Sequence, residues 1–223
     1  MGLLSKGETM TLRECLKLYF VMGTQNCERS PALVLEEALS GGVTMFQFRE
    51  KGVSCLKGKP IIELALELQH LCQKYSVPFI INDDVELALL LDADGVHIGQ
   101  EDESIKGVRE KIKDKILGVS AHNVKEARLA LESGADYLGV GPMFYTTTKI
   151  DCRIVKGPKV IESIRAKGIH LPLVGIGGIH PGNVNEVMEA GADGVAVISA
   201  ISKRPEQTRS LFQSVQDSLL QSM

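Results

Sequence analysis

The sequence predicts a single (β/α)8 barrel, and two observations carry this prediction. Eight short apolar runs recur along the chain, and their continuous hydrophobicity is typical of parallel strands covered on both faces. Segments with helical periodicity, such as 61–74, separate these runs. An open, doubly wound sheet is the alternative, but its GxGxxG fingerprint after the first strand is missing. The predicted strands are 18–23, 45–49, 78–82, 95–99, 116–121, 137–141, 173–177 and 194–199.

An internal repeat also favours a barrel. ESGADYLGVGP at 132–142 aligns with EAGADGVAVIS at 189–199, and LLDADGVHIGQ at 90–100 is a looser copy. Each copy reads as a helix end, a small residue, an aspartate and a buried strand, which is one structural unit used repeatedly. Eight strands joined by helical crossovers close into a barrel at about this length. No linker divides the sequence, so we expect one domain over 1–223, with a frayed tail over 1–10.

Composition excludes several classes of protein. The chain has 223 residues, of which 44% are hydrophobic and 24% charged, as in globular proteins. A net charge of −3 and an aromatic content of 4% argue against nucleic-acid or anionic-membrane partners. The sequence has no signal peptide pattern and no apolar run of ~18 residues. Its five cysteines lack metal or redox spacing, so we expect reduced thiols and a cytoplasmic location. Exposed helix faces are compatible with a homo-oligomer.

Polar residues that follow the predicted strands are the candidates for a site, because the active site of such a barrel lies at the carboxyl ends of its strands. Arg49, Lys51 and Lys149 supply three cations, which suit a diphosphate. Asp83 and Asp102 follow neighbouring strands and can reach one small, hard cation. Mg2+ held by carboxylates and substrate phosphate oxygens fits this set of residues.

A second group predicts a separate anion site on the same face. Glycines follow strand 7, and the pair Ile198 and Ser199 follows strand 8. Together they form the usual phosphate-binding cup of such barrels, in which backbone N–H groups point at the anion. The threonine-rich loop after strand 6 adds hydroxyls. Two anion sites predict two phosphorylated substrates, or one substrate with a phosphate at each end. The candidates are Thr146, Thr147, Thr148, Gly178, Ile198 and Ser199.

Several polar residues near these positions also have a purely structural explanation. Asp84 is better placed as a helix cap than as a ligand. His97 lies within a strand, where a packed and hydrogen-bonded histidine is at least as well explained as a catalytic one. His122 follows strand 5, but loop histidines are commonly only solvated. Glu50 and Glu101 are explained equally well as carboxylates that only balance nearby positive charge. What favours a site is the occurrence of so many polar residues at consecutive strand ends.

The ordered motifs QFREK, INDD, DGVHIGQED, LGVSAH, GPMFYTTTK, VGIGGI and AVISAI resemble the thiamine phosphate synthase family over about residues 19–201. GVHIGQED and the TxTK loop are the most specific of these motifs, and GIGGI is the least. The resemblance implies Mg2+-dependent joining of 4-amino-2-methyl-5-(diphosphooxymethyl)pyrimidine to 4-methyl-5-(2-phosphoethyl)thiazole or its 2-carboxy form. The products would be thiamine phosphate and diphosphate, formed by a dissociative mechanism.

The resemblance also implies residue roles. Asp83 and Asp102 would hold Mg2+, and the second group would hold the thiazole phosphate. Arg49, Lys51, Lys149 and Ser120 would be the catalytic residues. The pyrimidine diphosphate would be held by Gln47, Phe48, Arg49, Glu50, Lys51, Asn82, Ser120 and Lys149. The segments 50–60 and 146–157 are candidate lids.

Three other functions stay open at this point. A thiazole tautomerase would resemble the synthases and would use a histidine, His122, for proton transfer. A sugar-phosphate isomerase or epimerase would need a catalytic glutamate, lysine or aspartate pair and would leave the cations unexplained. A non-catalytic sensor would bind thiamine precursors without releasing diphosphate, and the intact cations and carboxylates argue against it.

Overall fold

The computed structural model describes residues 10–146 and 155–221, and its strands form a closed barrel. All neighbouring strands are parallel and pair in chain order, with the last strand returning to the first. The predicted fold class is therefore confirmed, and each observed strand begins and ends within two residues of its predicted bounds. The strands are β1 Leu18–Met22, β2 Met45–Phe48, β3 Phe79–Asn82, β4 Gly95–Ile98, β5 Ile116–Ala121, β6 Tyr137–Val140, β7 Leu173–Ile176 and β8 Gly194–Val197.

Helices connect the strands and cover the outside of the barrel. Helix caps explain several of their first residues: Asp84 Oδ1 accepts a hydrogen bond from Leu87 N at 2.9 Å, and Asn123 Oδ1 accepts one from Glu126 N at 3.0 Å. The structural explanation of Asp84 as a helix cap is thus confirmed. None of the described helices has the length and apolar character needed to cross a bilayer. The α-helices of the described residues are α1 Leu12–Cys15, α2 Pro31–Gly41, α3 Lys59–Lys74, α4 Val85–Leu90, α5 Ile105–Ile112, α6 Val124–Glu132, α7 Lys159–Ala166, α8 Val184–Glu189, α9 Ser199–Ser202 and α10 Thr208–Gln221.

Two apolar layers hold the fold together. Alternate strand residues point outward and pack against the helices, as Phe46 and Phe48 do. The residues between them point into the barrel, where Met45 packs with Tyr19 and Val174. Because successive side chains of a strand face opposite sides, the register of each strand decides which polar residues enter the barrel.

The amino-terminal end of the barrel carries one feature four times, which we call the strand clamp. A side-chain oxygen that precedes an even-numbered strand accepts a hydrogen bond from a backbone N–H at the start of the strand before it. The aspartate of the internal repeat provides three of these oxygens, and a threonine provides the fourth. Because the strand clamps lie at the end opposite to the expected active site, they serve stability. They join Leu18 N to Thr44 Oγ1, Phe79 N to Asp94 Oδ2, Leu117 N to Asp136 Oδ2 and Leu173 N to Asp193 Oδ2, at 2.8, 2.8, 2.7 and 2.8 Å.

Candidate active site

A cavity of about 250 Å3 opens at the carboxyl ends of the strands. It is bounded by residues that follow seven of the eight strands, as expected for an active site in this fold. Most of the predicted site residues that the structure describes lie in its wall. These are Arg49, Lys51, Asn82, Asp83, Asp102, Ser120, Thr146, Gly178, Ile198 and Ser199.

One side of the cavity carries an ion pair beside a second carboxylate. Lys51 Nζ pairs with Asp83 Oδ2, and Asp102 lies close enough to influence the ionisation of Asp83. Burial raises the pKa of Asp83, and the neighbouring Asp102 raises it further, while Lys51 opposes both effects. A carboxylate with this desolvation and this like-charged neighbour favours binding of a cation.

Local backbone geometry places the two carboxylates. Asp83 has a φ of 62°, a left-handed conformation that aspartate tolerates better than most residues. Its N–H donates to the carbonyl of His97 on β4 at 2.8 Å, which ties the end of β3 to the neighbouring strand. Asp102 Oδ2 accepts a hydrogen bond from Gly99 N at 2.7 Å, which closes the turn after β4.

The carboxylate pair fits a small, hard cation that takes additional ligands from substrate or water. Asp83 Oδ2 is buried, and apart from its ion pair it accepts no well-aligned hydrogen bond from the described residues. Those residues include no cluster of three or more His, Cys, Asp or Glu side chains that would enclose a metal. Two carboxylates with open positions are the usual protein contribution to a Mg2+ site that also binds phosphates.

The opposite side of the cavity is built from backbone. Gly177 and Gly178 follow β7 with φ angles of 104° and 65°, which leave their peptide groups free to turn toward the cavity. Phe144 N donates to the carbonyl of Gly177 at 2.9 Å, and Asn183 Nδ2 donates to that of Gly178 at 3.0 Å. With Ser199 after β8, this arrangement suits a phosphate.

Replacement of Gly178 with Ala should damage the backbone side selectively. The added Cβ would lie 2.6 Å from the carbonyl oxygen of Tyr145 and 2.9 Å from Phe144 Cβ, and a φ of 65° is unfavourable for alanine. We expect a rise of about tenfold in the KM of a substrate whose phosphate binds on this side, since a shifted loop loses about one charge-assisted hydrogen bond. Steady-state kinetics with each substrate varied in turn would measure it. An equal effect on a substrate that binds at the cations and carboxylates would contradict this division of the site.

Three predicted residues lie outside the cavity wall. Phe48 is 2% exposed and packs in the outer layer. Glu50 accepts hydrogen bonds from Thr24 N at 2.8 Å and Leu56 N at 2.9 Å, so it organises the loop after β2. Gln47 lies inside the barrel, where Nε2 donates to Tyr19 OH at 2.7 Å. The side chains of Phe48 and Glu50 therefore have structural roles, and a direct substrate contact is not expected for either.

Three more predicted residues, Thr147, Thr148 and Lys149, lie outside the described residues.

The two histidines at the cavity differ in their partners. His97 is 9% exposed and bonds through both ring nitrogens, to Tyr137 and Ser120, so its description as a packed and hydrogen-bonded histidine is confirmed. His122 Nδ1 lies 2.7 Å from Glu126 Oε2. Burial alone would raise the pKa of Glu126, but hydrogen bonds from His122 bring it below its ordinary value. The carboxylate therefore orients His122 rather than leaving it only solvated.

The sequence did not single out Tyr19, Tyr137 and Gln100. The two tyrosines read as apolar strand residues, although both hydroxyls lie inside the barrel and form hydrogen bonds. Gln100 Nε2 donates to the carbonyl of Ser120 at 2.5 Å and so fixes the end of β5. The alternation of residues along a strand was the available signal for the tyrosines. It does not say which alternate set faces the barrel interior until the register of the strands is known.

Fold and site together define a (β/α)8 barrel of the enzyme type, with a cavity at the carboxyl ends of its strands that suits phosphorylated small molecules. The family described as "Thiamine monophosphate synthase" matches residues 18–201, and the chain belongs to this family. A thiamine-phosphate synthase of Bacillus cereus (strain B4264) is 59% identical over 211 residues, which cover 93% of this chain and 96% of that protein.

Two further relatives agree with this assignment. The thiamine-phosphate synthase of Geobacillus kaustophilus (strain HTA426) is 61% identical over 194 residues, covering 87% of this chain and 88% of that protein. The solved structure of a thiamine phosphate pyrophosphorylase from Pyrococcus furiosus has a TM-score of 0.83 and 34% identity, and the match covers 94% of this chain and all of that one.

Proposed function

We propose that this protein is a thiamine-phosphate synthase. It joins the pyrimidine diphosphate to the phosphoethylthiazole, or to the 2-carboxy form of that thiazole, and releases diphosphate. The observation that carries the proposal is the division of one cavity into a side with cations and carboxylates and a side built from backbone. This combination suits two phosphorylated substrates, and family membership over nearly the whole chain supports the proposal. The cytoplasmic location and the homo-oligomer stay predictions.

Mg2+ is part of the proposal. Asp83 and Asp102 would hold it, since their carboxylates lie together and the buried Asp83 Oδ2 has spare capacity to accept. The ion would neutralise charge on the diphosphate as that group departs. The protein's own task on this side is then to bind the diphosphate with Arg49 and Lys51, and Lys149 is proposed as the third cation.

For the rest of the reaction, the main task of the protein is to position the two substrates relative to each other. The aminopyrimidine can expel diphosphate and leave a stabilised cation at its methylene carbon, and the thiazole nitrogen attacks without needing deprotonation. The backbone side of the cavity would hold the thiazole phosphate and so bring that nitrogen near the cation. Fixed positive groups that face the departing diphosphate lower the barrier because they need no rearrangement.

Replacement of Arg49 with Ala should lower turnover by about 10- to 100-fold, because the side chain supplies one of the fixed charges opposite the leaving group. The KM of the thiazole phosphate should stay near its wild-type value, since that substrate lies against the backbone side. Lys57→Ala is the matched control, because Lys57 is an exposed cation of the same loop that does not line the cavity. An unchanged turnover of Arg49→Ala would remove this residue from the diphosphate site.

The test of the function is a direct assay of both products. Purified protein is mixed with Mg2+, the pyrimidine diphosphate and the thiazole phosphate, and thiamine phosphate and diphosphate are measured together. Equal formation of both, abolished by a chelator, is the expected result. Diphosphate without thiamine phosphate would mean that the acceptor is a different nucleophile. Folded protein that forms neither product would overturn the proposal.

The His122–Glu126 pair favours one second candidate, a thiazole tautomerase. A histidine oriented by a carboxylate and facing a cavity is suited to proton transfer, and His122 lines this cavity. His122→Gln separates the two functions: tautomerisation would lose its base, whereas the synthase reaction needs no such group. Tautomerase activity that is lost in this variant would establish the second function.

A further inference from the structure

A continuous network of hydrogen bonds crosses the inside of the barrel and ends at the cavity. Gln47 Nε2 donates to Tyr19 OH at 2.7 Å, and Tyr19 OH lies 2.7 Å from Tyr137 OH. Tyr137 OH lies 3.0 Å from His97 Nδ1, and His97 Nε2 lies 3.0 Å from Ser120 Oγ. We call these five residues the interior network. They come from five different strands, so the network exists only in the closed barrel.

The network occupies space that an apolar core would otherwise fill. Tyr19 and Tyr137 are 1% and 0% exposed, and Gln47 is 4% exposed. Buried polar groups are costly unless they are hydrogen-bonded, so each link stabilises its neighbours. Burial raises the pKa of both tyrosines well above the ordinary value, and each hydroxyl therefore keeps one proton to donate.

Two strand glycines make room for this network. A Cβ on Gly118 would lie 2.1 Å from Tyr137 Cζ and 2.5 Å from His97 Nδ1, and a Cβ on Gly139 would lie 3.0 Å from His97 Cε1. Neither glycine has a positive φ that would otherwise require glycine. Their lack of side chains therefore serves the close approach of the tyrosine and histidine rings.

We propose that the interior network has a single direction, which holds neutral His97 in its Nε2–H tautomer and makes the Ser120 hydroxyl a hydrogen-bond donor to substrate. The amide nitrogen of Gln47 can only donate, so the Tyr19 hydroxyl accepts from it and donates its own hydrogen bond to Tyr137, and the Tyr137 hydroxyl in turn donates to His97 Nδ1. His97 then has its proton on Nε2 and donates to Ser120 Oγ.

The consequence at the cavity is specific. Ser120 Oγ already accepts from His97, so its single proton is available to an acceptor atom in the cavity that it lines. With the opposite tautomer, Ser120 would donate to His97 and present only lone pairs to substrate. A donor suits a ring nitrogen of the pyrimidine or an oxygen of the leaving group; this step rests on the proposed function. Tyr19, Tyr137 and His97 are then positioning residues.

The tautomer is measured on the protein without substrate. Long-range 1H–15N correlation spectra of protein labelled at its five histidines distinguish a protonated from an unprotonated ring nitrogen, and His97→Gln assigns the signal of His97. We expect the Nε2–H form at neutral pH and a mixture of tautomers in Tyr137→Phe, which removes the donor to Nδ1 but keeps the ring. The Nδ1–H form, an imidazolium, or an unchanged tautomer in Tyr137→Phe would overturn the proposal.

The second arm is kinetic. Tyr19→Phe and Tyr137→Phe should each lower kcat about tenfold, the effect of about one net hydrogen bond, and leave the KM of the thiazole phosphate unchanged. Tyr75→Phe is the control, because the Tyr75 hydroxyl bonds with Ser40 at the surface, away from the interior network. In a Ser120→Ala background Tyr137→Phe should have no further effect on kcat, whereas a full additional loss would indicate a merely structural role and overturn the proposal.

The two proposals fail in different ways. If the wild-type protein makes no thiamine phosphate, the proposed function is wrong, but the tautomer measurement still reads the direction of the network. If the synthase is active and His97 is in the Nδ1–H form, the direction is wrong and the function stands.

Discussion

Asp83→Asn is expected to lower synthase activity by about 100- to 1000-fold, a loss comparable to that caused by removing one preorganised group that stabilises transition-state charge. Asparagine keeps the shape of the side chain and tolerates the left-handed backbone of this position, so the loss would reflect the missing carboxylate. Activity measured against Mg2+ concentration checks this. Asp102→Asn should raise the Mg2+ requirement with a smaller loss, because Asp102 is more exposed. Asp84→Asn is the neighbouring control, since asparagine caps a helix as well as aspartate does.

Asp83→Asn should also keep or raise the melting temperature of the metal-free protein at neutral pH. Burial raises the pKa of Asp83 in the folded protein, so ionisation of this group opposes folding. The penalty is absent below the ordinary pKa of aspartate, grows as the pH rises toward the folded-state pKa, and is constant above it. Asparagine removes the penalty. A clear drop in melting temperature at neutral pH would show instead that the carboxylate stabilises the fold through Lys51.

Gly118→Ala is expected to destabilise the protein by about 3 kcal/mol or more, as overpacking of a rigid core does. Its Cβ would lie 2.1 Å from Tyr137 Cζ, 2.3 Å from the hydroxyl oxygen of the same tyrosine and 2.5 Å from His97 Nδ1. The tyrosine ring is fully buried between strands and cannot turn away. Chemical denaturation of the variant and the wild type would measure the difference.

Gly107→Ala is the matched control for this change. Gly107 lies within α5, where alanine is favoured over glycine by up to about 1 kcal/mol. The nearest atoms to its Cβ belong to the Ser104 and Glu103 side chains, at 3.0 and 3.1 Å. We expect a stability equal to or above that of the wild type. A Gly118→Ala variant as stable as Gly107→Ala would mean that the barrel interior adapts more readily than its packing indicates.

The fold could be predicted from sequence because parallel strands leave an unusually direct pattern. Each strand is buried on both faces, so it reads as an uninterrupted apolar run, and a helix of clear period follows it. The repeat pointed to the same architecture, but its aspartates gave no indication of their purpose. Asp94, Asp136 and Asp193 bond across to a neighbouring strand, and such a contact cannot be deduced from residues that are distant in the sequence.

The site could be predicted in part for a related reason. Residues just after a strand, such as Arg49, Asp83 and His122, lie at the carboxyl end whatever the detailed register. Residues within a strand depend on register and on neighbours. Phe48 faces the helices although it adjoins Arg49, and Tyr19 carries a polar atom into the barrel although it reads as apolar.

The four strand clamps give the barrel a modular construction. Each clamp ties an odd-numbered strand to the even-numbered one that follows it, so the eightfold ring is assembled from four equivalent quarters. Every quarter is fastened at the same end, and every quarter contributes its variable loops at the other. Changes in the loops at the carboxyl end therefore leave the strand clamps intact. The functional end of such a barrel can change in one pair of strands at a time while the barrel itself stays the same.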